Sequence, residues 1–78
     1  MNFDDALKVV QELVSDIAPE VDTALVDAGL SEDFGLDSID SLNLAVAVKE
    51  RTGVEIPDRD MPALVSMRRL AEYLVSHG

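Results

Sequence analysis

Apolar side chains recur along the start of the chain at Phe3, Ala6, Leu7, Val10, Leu13, Val14 and Ile17. This is the i, i+3, i+4, i+7 spacing of a helix that buries one face, and it predicts a helix over about residues 3–17. Asn2 is suited to cap it, Asp4 and Asp5 suit its positive end, and Pro19 stands just past its stop. The periodicity then lapses over residues 18–36, a long connection where loops usually run to about 4–6 residues. Leu25, Val26, Leu30 and Phe34 are spaced through it and are expected to pin it to the core.

Gly35 marks a turn before a second helix over residues 38–51, which Gly53 ends. The stretch VEIPDRDMPALVS carries two prolines, so only a short helix fits there. Asp60 is its expected cap, with Pro62 in the first turn, where a missing N–H costs little. A last helix, about 66–76, starts at Ser66 and buries Met67, Leu70, Ala71 and Leu74. The expected fold is all-α: a small four-helix bundle of three main helices and one short third helix, with a long first loop. Residues 1–78 form a single domain in this reading, without repeat, linker or low-complexity segment.

The second helix has two apolar edges rather than one. At about 100° per residue, Leu44 and Val48, joined by Ala45, form one edge, and Ile39, Leu42 and Val46 form another. Asn43, Lys49 and Glu50 interleave with the Ile39 edge, whereas Ser41, Ala45 and Ala47 flank the Leu44 edge. The Leu44 edge is therefore the expected core contact, and the Ile39 edge is at least partly exposed, as interaction surfaces commonly are. A helix buried on every side is the alternative.

Charge narrows the partners. Six basic residues stand against sixteen acidic ones, a net of −10, which repels nucleic-acid phosphates and anionic membranes. Partners with basic surfaces are favoured, unless the acids serve solubility alone. Ten of the acids and only Lys8 lie in residues 1–37, a net of −9; residues 38–78 hold six acids and five bases, a net of −1. SEDFGLDSID lacks the ligand spacing of an EF-hand, and His77 has no cysteine partners, so no metal site is expected. No apolar run approaches the roughly 20 residues of a membrane helix, and MNFDDALKVV is acidic where a secretory leader is basic. A monomeric, cytoplasmic domain without membrane insertion is expected.

Ser38 heads the second helix between Asp37 and Ile39. As an N-cap it would contribute about 1 kcal/mol. A hydroxyl at an exposed helix start is also open to modification, because free N–H groups and the helix dipole stabilise an attached phosphate. It is a poor nucleophile, with no histidine or lysine nearby in sequence to activate it. On composition alone, both the capping and the modification readings stand.

The motif Gly35-Leu36-Asp37-Ser38-Ile39 resembles the prosthetic-group attachment sequence of acyl carrier proteins, G-x-D-S-[LI]. The likeness extends to the long first loop, to Glu55-Ile56-Pro57-Asp58 and to the closing helices, so it covers essentially the whole chain. It implies that Ser38 carries 4′-phosphopantetheine, transferred from coenzyme A by a magnesium-dependent phosphopantetheinyl transferase. The thiol of that arm would hold acyl groups as thioesters, and a chain without cysteine offers no competing thiol. Asp37 would help present Ser38. Ile39, Asp40, Leu42 and Val46 would be read by acyl-transferring, condensing or modifying enzymes with basic surfaces. Acyl chains would tuck between helices, with Leu44, Val48, Ile56, Leu64 and Leu70 as candidate lining residues.

The resemblance implies a carrier without catalysis of its own, serving fatty-acid, specialised lipid or polyketide synthesis. Fatty-acid members usually carry several glutamates along the second helix, where this chain has Asn43 and Lys49, with Arg51 beyond. A specialised carrier fits that departure. Peptidyl carriers usually lack an aspartate before the serine and fit less well. The alternative function is an unmodified acidic helical adaptor that binds a basic protein through the Ile39 edge.

Overall fold

The structure, a computed structural model, describes residues 1–77. Helix α1 spans Phe3–Ile17, α2 spans Ser38–Thr52, a 3-10 helix spans Asp58–Ala63, and α3 spans Met67–His77. The all-α expectation holds, with α2 running one residue further than predicted and α3 one residue later.

Sequence explains why each helix starts where it does. The Asn2 side chain accepts the Asp5 N–H at 2.8 Å, and Asp4 and Asp5 face the positive end of α1. α1 ends where the Ala18 N–H reaches the Val14 carbonyl at 2.8 Å, just before Pro19. α2 stops at Gly53, whose φ of 78° is left-handed and whose N–H donates to the Lys49 carbonyl. Ser66 precedes α3 and its Oγ accepts the Arg69 N–H at 3.2 Å.

α1 packs against both α2 and α3. The largest fully buried side chains are Val10 and Val14 of α1, Val48 of α2, and Met67, Leu70 and Leu74 of α3. Burying each of these contributes about 1.5–3 kcal/mol. Ala71 is buried beside them, as the α3 periodicity predicts.

The long loop is held differently from the expectation. Leu30 is buried, and Val26 and Phe34 pack against the core, but Leu25 is exposed. Leu36, not singled out from the sequence, is buried in its place. Polar ties supply the rest. The Leu30 N–H donates to the Val65 carbonyl at 2.8 Å, the Arg68 N–H to the Val26 carbonyl at 3.0 Å, and Gln11 Nε2 to the Thr23 carbonyl at 2.8 Å. The Arg68 guanidinium also forks onto both carboxylate oxygens of Asp27, fastening the loop to α3.

The 3-10 helix corrects a second expectation. It begins at Asp58, three residues earlier than an Asp60 cap allows, and Pro57 stands in the capping position without a side-chain bond. Asp60 lies inside it, and its Oδ2 accepts the Tyr73 hydroxyl at 2.8 Å. The carboxylate is thus engaged by α3 rather than by its own backbone. None of the residues of this helix is fully buried.

Candidate functional site

The loop delivers Ser38 to the surface through a hydrogen-bonded turn. The Gly35 N–H donates to the Ser31 carbonyl at 3.1 Å and the Leu36 N–H to the Leu30 carbonyl at 3.0 Å. Gly35 itself has φ 73°, a conformation in which a side chain is strained, and Leu36 then drops into the core.

Asp37, not Ser38, caps α2. Its Oδ1 accepts the Asp40 N–H at 2.8 Å, while Asp40 Oδ2 accepts the Asp37 N–H at 3.4 Å. This is a reciprocal capping box with an aspartate at the third helical position. Ser38 becomes the first residue inside the helix, and its side chain is exposed. The capping reading of Ser38 fails for a local reason: aspartate and serine cap equally well, and the chain turns helical one residue after Asp37. Of the N–H groups in the first turn, that of Asp40 is taken by Asp37, and those of Ser38 and Ile39 precede the first intrahelical donor.

Below this turn lies a cavity of about 790 Å³. Ser38 lines it together with Leu44, Ile56, Leu64 and Leu70. Four of the five residues predicted to line an acyl cavity therefore do border one space. Val48 does not. It lies one helical turn past Leu44, is fully buried, and belongs to the core. Met61 and Pro62 of the 3-10 helix complete part of the wall, a contribution that no local sequence pattern marks.

The two edges of α2 separate as expected. Leu44 and Val48 are buried, while Ile39, Leu42 and Val46 are 66%, 59% and 50% exposed. That excludes a helix buried on every side. The exposed stripe starts beside Ser38 and runs along the helix.

Charges around the stripe are arranged by local pairing. Lys49 Nζ meets Glu55 Oε1 at 2.8 Å, and Arg51 Nη2 meets Glu12 Oε2 at 2.6 Å. The hydrogen bond with Glu55 raises the Lys49 pKa above its ordinary value, and the same bond lowers that of Glu55. Among the described residues no group of three or more acidic, histidine or cysteine side chains is placed to hold a metal ion. His77 instead stacks on Tyr73, with ring centroids 3.9 Å apart. No helix among the described residues is long and apolar enough to cross a membrane.

Comparison with known proteins bears on the same turn. Residues 8–74 match a family model described as a phosphopantetheine attachment site. The chain is 38% identical over 72 residues to the acyl carrier protein of Campylobacter lari, covering 92% of this chain and 90% of that one. It is 36% identical over 72 residues to the acyl carrier protein of Campylobacter hominis, covering 92% and 87%. It is 31% identical over 75 residues to that of Thermosynechococcus vestitus, covering 95% and 93%. Matched in this way along most of its length, the chain belongs to the acyl carrier protein family, whose prosthetic group is a covalently attached 4′-phosphopantetheine.

Proposed function

We propose that Ser38 is the attachment residue and that the protein carries acyl intermediates for a dedicated lipid or polyketide pathway. The observation that supports this most directly is the division of labour at the head of α2. Asp37 and Asp40 satisfy the cap between themselves, so the exposed Ser38 hydroxyl is available at the rim of the cavity, whose wall is part apolar and part charged. The residues present fit a phosphate ester there. The N–H groups of Ser38 and Ile39 and the positive end of α2 favour an anion at that position. When bound, the prosthetic group supplies a thiol, which a chain without cysteine otherwise lacks.

In this reading the chain positions its cargo and does no chemistry of its own. Lys49 is about 16 Å along the helix axis from Ser38, at 1.5 Å per residue, and His77 is stacked on Tyr73 in α3. Neither serves Ser38 as a base. Asp37 and Asp40 fix the turn that presents Ser38 to a phosphopantetheinyl transferase, and Ile39, Leu42 and Val46 form the apolar surface that acyl-handling enzymes meet. Leu44, Ile56, Leu64 and Leu70 line the space open to an acyl chain. Family membership implies a transferase and acyl-handling partners of this kind. A monomer in the cytoplasm, where coenzyme A is at hand, goes with the same reading.

Intact-mass measurement after incubation with coenzyme A and a broad-specificity phosphopantetheinyl transferase tests it. The expected result is a single phosphopantetheinyl addition that Ser38→Ala abolishes. No addition to the wild-type chain would instead favour the acidic adaptor, which uses the same exposed stripe without modification.

A further inference from the structure

The charges of α2 and its cap cluster at the two ends of the helix. Asp37 and Asp40 stand at the Ser38 end, and Lys49 and Arg51 stand in the last turn. Ser38 and Lys49 are eleven residues apart, so at about 100° per residue they point within about 20° of the same direction. Leu42 lies between them in the same row, with Ile39 and Val46 alongside. Glu50 and Asn43 flank the far side of the stripe. Any surface that covers both Ser38 and the stripe therefore extends over Lys49. Arg51 is different. It is rotated toward α1, where it pairs with Glu12.

Both cations have carboxylate partners from this chain, but only one pair lies on the exposed stripe. Lys49 and Glu55 are both well exposed, so their bond is open to exchange with groups from a docking protein. A cation brought by a partner to this end meets the Lys49 ammonium, and Glu55 offsets that repulsion only while it stays paired. A cation brought to the other end meets Asp37 and Asp40, whose carboxylates have no basic partner of their own within the cap.

Resting on the carrier reading, we infer that Lys49 and Glu55 determine partner specificity at the distal end of this face. The matching surface is an enzyme with basic groups over Asp37 and Asp40, an apolar centre over Ile39, Leu42 and Val46, and no cation over Lys49. Specificity arises by repulsion: an enzyme with a uniformly basic groove loses affinity at the Lys49 end, and a dedicated partner does not. Glu55 sets how strongly that repulsion is felt.

The probe is a broad-specificity phosphopantetheinyl transferase with a basic docking surface, assayed with coenzyme A at low salt. Lys49→Glu is expected to lower KM for the carrier by about two- to fivefold, the range of exposed ion pairs. Lys49→Gln is expected to fall between it and the wild type. Glu55→Gln unmasks Lys49 and raises KM by a similar factor, with kcat unchanged in all three. Glu12→Gln makes the same charge change but frees Arg51 on the other side of the helix, and leaves KM as it was. These differences collapse at high salt, where exposed charges are screened. Equal KM values for Glu55→Gln and Glu12→Gln would overturn the inference while loading of Ser38 continued. A wild-type chain that is never loaded would overturn the carrier reading itself.

Discussion

Asp37 and Asp40 bond to each other's backbone across the first turn of α2, at 2.8 Å in one direction and 3.4 Å in the other. The consequence falls on the residue between them in role. Ser38 is released from capping, so its substitution is cheap for the fold although it removes the hydroxyl proposed for attachment. Asp37→Ala is expected to cost about 1 kcal/mol of stability, whereas Ser38→Ala stays within about 0.5 kcal/mol, as exposed substitutions do. Urea midpoints of the two variants decide it. A larger loss for Ser38→Ala would return the cap to the serine.

The two edges of α2 make a second test. Val48 is fully buried and Val46 half exposed. Val48→Ala leaves a cavity among the side chains of three helices and is expected to cost about 1–3 kcal/mol. Val46→Ala is expected to cost less than about 0.5 kcal/mol and instead to weaken enzyme docking. Equal denaturation midpoints would mean that α2 faces the other way.

Legibility in the sequence followed the range of the interactions. α1 and the buried face of α3 could be read because their apolar periodicity is strong and repeated over several turns, and helix burial depends on little else. The capping reading of Ser38, left open beside modification, falls one residue from the true cap because Asp37 and Ser38 are both good caps and only the backbone path distinguishes them. Errors further along came from partners distant in sequence. Asp60 looked like a cap until Tyr73, thirteen residues on, proved to be its donor. Leu25 looked like a tether, but the loop is fastened by Arg68 on Asp27 and by Leu30 on Val65, contacts with no local pattern. The exposed place of Ser38 at the head of α2 is what the structure adds to the short motif of fixed spacing that singles it out. The cavity was partly legible: Leu44, Ile56, Leu64 and Leu70 share it, but buried apolar residues such as Val48 read the same whether they line a space or fill one.

The fork of Arg68 on Asp27 predicts how the loop responds to acid. The Arg68 hydrogen bond holds the Asp27 carboxyl below its ordinary pKa. A depressed pKa in the folded state means that the contribution is present above the unfolded value, about 3.9, and is lost as pH falls through the folded one. Wild type and Asp27→Asn are therefore expected to differ in thermal midpoint near neutral pH and to converge below about pH 4. Both residues are well exposed, so the difference is expected to be small and to shrink with added salt. A gap that persists unchanged into acid would show that the charge of Asp27 contributes nothing.

Tyr73 offers a cleaner reading of the cavity wall, because it is the only tyrosine and the chain has no tryptophan. Its hydroxyl donates to Asp60 at 2.8 Å, tying α3 to the 3-10 helix that contributes Met61 and Pro62 to the cavity. That hydrogen bond, with some burial and the nearby negative charge, raises the phenol pKa above its ordinary value of about 10. A raised pKa in the folded state means that the tie is fully present below the unfolded value and is lost as pH rises through the folded one. Ultraviolet titration of the native protein is expected to give a tyrosine midpoint above 10 that moves back toward 10 in Asp60→Asn. Tyr73→Phe is expected to lower the denaturation midpoint and to speed amide exchange across Asp58–Ala63 more than across α1, because that helix has no fully buried residue to hold it once the bond is gone. If exchange in the 3-10 helix is unchanged by Tyr73→Phe, the wall is held by Met61 and its apolar neighbours, and the bond to Asp60 is incidental to the cavity.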